Sequence, residues 1–486
     1  MPYQLESWRF FLAFALIPVT AAYARQFHVA PAGADANAGG ESAPWKTFAK
    51  AMGMLAAGDT LFVREGTYKE RLVVKKSGTA AAPILIAAYP GEKPVLDGTG
   101  LSGQGLVHLD RIQNVKVGGL EARNAGEAGF WIVNSSYITL AGNRTYNTVS
   151  SGIIVSEGGA CDHVVLDGNE VELACNDGAQ ECISVAKCAF FEVKNNHVHH
   201  GGPGTTGGEG IDIKFGSHDG TVYGNHVHDM KRQGIYVDAW TSHTYNIEVF
   251  GNRVHDNEGD GFDCASEQGG LLENVTFHDN IGYNNKLNGF AFRVWGDGMP
   301  GPRKGIRIIN NTFYNNGAGL WGPRGGIAVE GTQFEACVIR NNLLSANKLF
   351  QIFVEQDSTL AAFTIDHNLL DAYKGAVGEA RGEAYVSGSP LFADASTGDF
   401  RLQTGSPAID KGSPEGAPKL DAGGLSRPAG TDIDIGAHEF GASASLGGSR
   451  ERLGSIAPMR AGRKAQVLFK FKGAGVLANG AIPPSR

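Results

Sequence analysis

From residue 143 to residue 368 the chain repeats one short phrase: an asparagine, any residue, then usually an apolar one. It occurs at Asn143, Asn169, Asn196, Asn225, Asn252, Asn280, Asn311, Asn342 and Asn368, at spacings of 26 to 31 residues. A period of this size marks a solenoid. Between the asparagines lie short alternating stretches such as Ile247-Glu248-Val249-Phe250, broken by glycine and asparagine, and none carries a helical period. The pattern predicts three short strands per coil, turned by residues that tolerate positive φ: a single-stranded parallel β-helix. The asparagines would then stack coil upon coil as an amide ladder.

One strand of each coil aligns on Gly152, Cys182, Gly210, Gly234, Gly261, Gly289 and Gly326. The first position after this lead reads Ile153, Ile183, Ile211, Ile235, Phe262, Phe290, Ile327, and the third Val155, Val185, Ile213, Val237, Cys264, Phe292, Val329. Side chains alternate along a strand, so these apolar columns face the core and the even positions face out. On four consecutive coils the outward positions gather Asp212, Lys214, Tyr236, Asp238, Trp240, Asp263, Glu267, Arg293 and Trp295. Coils sit ~4.8 Å apart and two residues span ~6.7 Å, which puts the Cα atoms of Asp238 and Glu267, or of Asp238 and Asp263, roughly 8 Å apart. Carboxyl groups about 5–5.5 Å apart suit a retaining glycosidase and about 6.5–9.5 Å an inverting one; either is reachable from that offset. Like charges so close push one pKa up, as an acid catalyst requires. Tryptophans beside carboxylates offer flat platforms for sugar rings.

The ends differ from the repeats. Trp45, Phe48, Met52 and Leu55 have helical spacing after Pro44, predicting a helix that covers the first coil and its open sheet edge. Residues 1–24 read as a secretory signal: Phe10 to Val19 is an apolar run, and Ala22-Tyr23-Ala24 a cleavage site, with a mature start near Arg25. That run is too short to span a membrane, and no later one qualifies. The organisation predicted is a signal at 1–24, cap and first coils at 25–100, repeats at 101–387, an irregular C-terminal cap at 388–440, and a basic low-complexity tail at 441–486, small-residue-rich and mobile. The protein is expected to be secreted or periplasmic, and monomeric.

Composition sharpens the picture. Glycine, 69 of 486 residues, is about twice as frequent as usual, in keeping with many turns. Net charge is −8, but the tail holds eight Lys and Arg against Glu451 and the first 24 residues are neutral, so residues 25–440 carry −15. Such a body is a poor nucleic-acid binder. Of six cysteines, four lie within Cys161–Cys188, where a local disulfide and a stack of buried thiols are alternatives.

Residues 27–440 resemble the pectate-lyase-like family of right-handed parallel β-helix proteins, through Gly58-Asp59-Thr60-Leu61-Phe62-Val63-Arg64-Glu65-Gly66-Thr67-Tyr68 in the first coil and, near the end, Gly405-Ser406-Pro407-Ala408-Ile409-Asp410 and Asp434–Phe440. The resemblance implies the right hand of the helix. Fold does not settle chemistry in such a family. Gly234-Ile235-Tyr236-Val237-Asp238-Ala239-Trp240, followed by Ser266-Glu267-Gln268-Gly269-Gly270, also resembles the catalytic segments of β-xylosidase-type β-helix glycosidases. That resemblance implies Asp238 as nucleophile and Glu267 as acid/base, with Asp263 the alternative second carboxylate. The departure of Gln268-Gly269-Gly270 from that family's His-Gly-Pro bears on Glu267 more than on Asp238.

The reading that follows is an enzyme cleaving glycosidic bonds in a polysaccharide or oligosaccharide, a hydrolase with no cofactor. The alternative is a pectate-type lyase with Ca²⁺ on Asp212, Asp238, Asp260 and Asp263, suggested by the resemblance of Gly210–Lys214 and Gly259–Asp263 to calcium coils. There Ala291 stands where that family has its lysine base, leaving Arg293 or Lys214 to serve. The third reading, a non-catalytic glycan-binding surface, would call for aromatic rows over many coils; the aromatics instead concentrate near the carboxylates. His199, His228 and His255, continued by Tyr283 and Tyr314, form a column read as stacked rings, because ligands spaced one per coil do not converge tetrahedrally. Glu181, Glu209, Gln233, Asp260 and Asn288 form a polar column before the lead, read as a solvated turn edge or, for Glu209, a substrate contact.

Overall fold

The computed structural model describes residues 24–441, apart from 157, 178–179, 204–206, 296–299 and 321. The signal segment up to residue 23 and the basic tail beyond Gly441 lie outside the described residues. Among the described residues the chain is an all-β parallel solenoid with three long sheets, of 16, 11 and 12 strands, and a separate two-stranded antiparallel sheet near the C-terminal end of the described residues. Each coil adds one short run to each sheet: Ile211–Lys214, His218–Tyr223 and His226–His228 make one coil, and Ile235–Asp238 begins the next. No helix among the described residues is long and apolar enough to cross a membrane.

The asparagine ladder forms as the period predicts. Asn196 Nδ2 donates to Asn225 Oδ1 at 3.0 Å and Asn225 Nδ2 to Asn252 Oδ1 at 2.9 Å, and the chain of amides runs from Asn143 to Asn368. Each ladder amide also serves the backbone: Asn225 Nδ2 donates to Val193 O, and its Oδ1 accepts from Asn196 N. Buried backbone groups at the turn thereby find partners without water. The residue before each ladder asparagine is left-handed on all nine coils, from Gly142 (φ 60°) through Asn195 (55°) and Gly224 (63°) to His367 (51°). Gly, Asn or Asp fills this bend on eight of the nine coils, His367 being the exception, and each of the three tolerates positive φ. A second ladder, Asn257, Asn285, Asn316 and Asn347, runs parallel to the first and was not anticipated.

The aligned strand has the register read from sequence. Ile153, Ile183, Ile211, Ile235, Phe262, Phe290 and Ile327 pair in order, and so do Ser184, Asp212, Tyr236, Asp263 and Ala291 beside them. The odd positions are fully buried in the core. At the N-terminus helix α1 (Phe48–Met54) starts at Thr47, whose side chain accepts from Lys50 N. Phe48 and Met52 are buried beneath it, and Phe48 meets the Tyr68 ring at 4.8 Å. The helix covers the first coils, as the spacing predicts.

The C-terminal segment is irregular, as expected, but it runs back along the 12-stranded sheet instead of only closing the last coil. Arg427 pairs with Asp279 and Glu439, Ala437 N donates to Thr312 Oγ1, and Arg253 Nη1 reaches Gly398 O. Phe400 packs between Tyr283 and Tyr314. All six cysteines are buried, and none is joined in a disulfide. The thiol stack is therefore the arrangement realised: Cys161 and Cys188 pair in register without a bond.

Candidate functional site

The site lies on the outer face of the 11-stranded sheet, on the coils that begin at Ile183, Ile211, Ile235, Phe262 and Phe290. The alternation correctly turns the even positions away from the core, but it does not expose them. Asp212, Lys214, Tyr236, Asp238, Asp263 and Arg293 are all buried, Asp238 at 2 % and Asp263 at 0 %. Segments on both sides of the strands fold over them. The column Glu181, Glu209, Gln233, Asp260 and Asn288 is buried too, so it is a wall of the site and not a solvated turn edge. On the far side, Gln268 N and Gly270 N both donate to Trp240 O, which fastens one coil's exit to the next. A Cβ on Gly270 would meet Ser242 and Trp240 backbone atoms at 2.5 to 2.8 Å, so this close approach needs glycine.

At the centre sit Asp238 and Glu267. Trp240 N donates to Asp238 Oδ1 at 2.8 Å, and the Asp238 carbonyl accepts from Thr244 Oγ1. Burial first, and then the nearby Glu267 charge, pushes Asp238 up to about 8. The Tyr236 hydroxyl donates to Glu267 Oε1. Burial raises Glu267 as well, and the Tyr236 hydrogen bond opposes that rise. Burial thus biases both carboxyls toward their protonated forms, and of the two only Glu267 has a hydroxyl donor that favours its ionised form. Trp240, 36 % exposed, borders this pair and stands 6.1 Å from Phe215.

Two charged groups flank the pair. On one side Lys214 Nζ lies 2.5 Å from Glu181 Oε1 and 3.5 Å from Asp212 Oδ2. Burial opposes the Lys214 charge, but the two carboxylates outweigh burial and its pKa rises. Arg232, which no sequence motif marked, pairs with Glu209 at 3.1 Å. Burial pushes Glu209 up to about 7 even so. On the other side Arg293 holds Asp260 with two bonds, at 2.9 and 3.0 Å, and also bonds Glu330. Asn288 donates twice more to Asp260. Asp263 Oδ2 accepts from Gln233 Nε2 and Trp295 Nε1, each at 3.2 Å. Asp263 is raised by burial and then by Asp260, which places it in the Arg293 group; among its neighbours Asp238 feels Glu267 most. Trp295 lies under the guanidinium groups of Arg293 and Arg232, at 5.4 and 5.8 Å.

The four aspartates of the calcium alternative do not fit one ion in this arrangement. Asp260 is saturated by Arg293 and Asn288, and Asp212 and Asp263 lie two coils apart with Tyr236 between them. The clusters among the described residues whose donor atoms do converge are elsewhere: His197, His226 and His228, and Glu170, His197 and His199. The histidine column thus has a companion, since His-Val-His recurs at 197–199 and 226–228 and brings in His197 and His226. Aromatics are also not confined to the carboxylates. Tyr137, His163, Phe190, His218 and Tyr245 form a row on the 16-stranded sheet, ring against ring at 4.4 to 6.2 Å. Tyr137, His163 and Phe190 stack in turn and His218 stacks on Tyr245, while Phe190 meets His218 edge-on, and Tyr137 and Phe190 are exposed.

Comparison with known proteins agrees with this architecture. A curated relative, the uncharacterized protein YwoF of Bacillus subtilis (strain 168), is 26 % identical over 445 residues, 78 % of this chain and 91 % of that one. Pectate lyase PEL9 of Emericella nidulans is 40 % identical over 91 residues, 18 % of this chain and 22 % of its own. Among solved structures, pectate lyase Pel9A superposes with a TM-score of 0.54 at 18 % identity, over 85 % of this chain and 96 % of that one, a likeness of fold. A family model described as Pel9A-like, right handed beta helix region, matches residues 27–171, and one described as right handed beta helix region matches 128–300. The two matches overlap and together run from residue 27 to residue 300, and both describe the right-handed β-helix that the fold shows.

Proposed function

We propose that the protein is a glycoside hydrolase acting on a polysaccharide or oligosaccharide, with Asp238 and Glu267 as its working carboxyl pair. The observation that carries the reading is the buried Asp238, pushed up to about 8, beside a Glu267 that receives the Tyr236 hydroxyl. Cleavage needs one group to protonate the leaving oxygen and an ionised one on the opposite face of the anomeric carbon, as nucleophile or as the base that activates water. Asp238 carries the proton and Glu267 the charge, the reverse of the roles the β-xylosidase-type resemblance implies. Trp240 and Trp295 supply apolar faces for sugar rings, and Asp212, Lys214, Asp263 and Arg293 shape the walls.

The base of a lyase is poorly served by this cleft. Lys214 is held charged by Glu181 and Asp212, and Arg293 by Asp260 and Glu330. Proton abstraction needs a neutral nitrogen. The test is product analysis by mass spectrometry on a panel of plant and algal polysaccharides, with and without a calcium chelator. New ends that have gained water and survive chelation support the reading. Unsaturated uronate ends that vanish with chelator would replace it with the calcium lyase.

A further inference from the structure

The outer face of the 12-stranded sheet carries a histidine cluster that the cleft chemistry does not use. His197 and His199 lie on one coil, His226 and His228 on the next, and His255 on the third, paired in register. Each His-Val-His turns both imidazoles outward around a buried valine. A single column would present ligands in a line. Two columns let rings meet across the diagonal: the Nε2 atoms of His197 and His228 lie 2.8 Å apart, and those of His226 and His255 likewise.

From this juxtaposition we propose a transition-metal site of the Zn²⁺ class at His197, His226 and His228. One ligand nitrogen from each of the three lies within 4.8 Å of the others. Zn–N bonds of 2.0–2.1 Å in a tetrahedron separate ligand nitrogens by about 3.3 Å, so small ring rotations convert the present contacts into coordination. Imidazole nitrogens select Zn²⁺, Cu²⁺ or Ni²⁺ over Ca²⁺ or Mg²⁺.

The surroundings have the form of a metal-ligand outer shell. His228 Nδ1 lies 2.7 Å from Asp229 Oδ2. A carboxylate only accepts, so His228 carries its proton on Nδ1 and offers the Nε2 lone pair. His199, at the edge of the same cluster, is buried, and its Nε2 lies 3.5 Å from Glu170 Oε1. The three ligands are half-buried, so solvent or an exogenous ligand completes the sphere from outside. The site joins two coils at the root of the segments leading to Glu209 and Arg232, where an ion would clamp them together.

The experiment is a Co²⁺ titration of the full chain without an affinity tag, followed by Zn²⁺ displacement and a thermal melt at increasing Zn²⁺. The expected result is one equivalent bound, with the visible absorption of low-coordinate Co²⁺ that Zn²⁺ abolishes and a melting temperature that rises with Zn²⁺. His197→Gln and His226→Gln should each weaken Zn²⁺ binding by about 100-fold, with His255→Gln within about threefold of the parent. Circular dichroism shows whether each variant keeps its sheet, and a second pair, His226→Asn and His228→Asn, serves if one does not. No stoichiometric binding at micromolar metal would overturn the proposal. So would binding that survives His226→Gln but is lost in His199→Gln, which would move the ion to the Glu170 side.

Discussion

Tyr236 and Glu267 stand on successive coils, and the phenol hydroxyl donates to the carboxylate across the gap. Tyr236 occupies the outward position two residues before Asp238. One strand therefore supplies both the buried Asp238 and the hydroxyl that bonds Glu267.

Tyr236→Phe removes that hydrogen bond while keeping the ring. Glu267 then loses the interaction that holds its pKa down, so the acidic limb of the kcat/KM profile should move to higher pH. A hydrogen bond to a charged group contributes about 1.5–3 kcal/mol, so kcat should fall roughly 10- to 100-fold if all of it is expressed in the transition state. A pH–rate profile of the variant checks both points.

Asp238 must keep its proton to act as the acid. Activity should therefore fall as pH rises through about 8. Asp238→Asn should lower kcat by about 10²–10⁴-fold or more, with the far-ultraviolet spectrum of the sheet unchanged. Substantial turnover by the folded variant would sink the assignment.

The same residue sets a stability trend. Its folded pKa lies above the unfolded carboxylate value near 3.9, so folding is favoured by its protonation, and that advantage is lost between about pH 4 and pH 8. Asn cannot ionise. Asp238→Asn should then match the parent's melting temperature at pH 4 and exceed it at pH 8.

Arg293 neutralises buried Asp260 and Glu330 together. Arg293→Met should cost about 3–5 kcal/mol, because it leaves those carboxylates buried without a cation. Adding Asp260→Asn should recover part of the loss, since Asn288 can still donate to the remaining oxygen. Urea unfolding of the single and double variants measures this.

Asn225 makes four ladder bonds, donating to Asn252 and to Val193 O and accepting twice from Asn196. Asn225→Ala removes the partner of Asn196 N and of Val193 O in a dry turn, while Asn252 Oδ1 keeps the Asn225 backbone N–H and Asn196 Nδ2 keeps Leu166 O. The expected cost is at least ~2 kcal/mol, read as a shift in the urea midpoint.

The coil period, the ladder and the in-register columns were legible in the sequence, because each is a one-dimensional regularity. A pleated strand alternates its faces, and a ladder asparagine must recur once per coil; both rules act on neighbours a fixed distance along the chain. Asp212, Tyr236, Asp238 and Asp263 were placed on one face for that reason. Their burial was not legible. It depends on entering and leaving segments of irregular length, such as those carrying Gln233 and Gly270, whose path over the sheet no period describes. Arg232 was missed for the same reason: it lies in such a segment, off every column. His197 and His226 sit two residues from a column that was noticed, but the contact that joins His197 to His228 is diagonal, between one coil's first position and the next coil's third. Sequence determined which residues share a face. Only the tertiary structure decided which of them lose water, and in this cleft the loss of water is what moves Asp238 into the range of an acid catalyst.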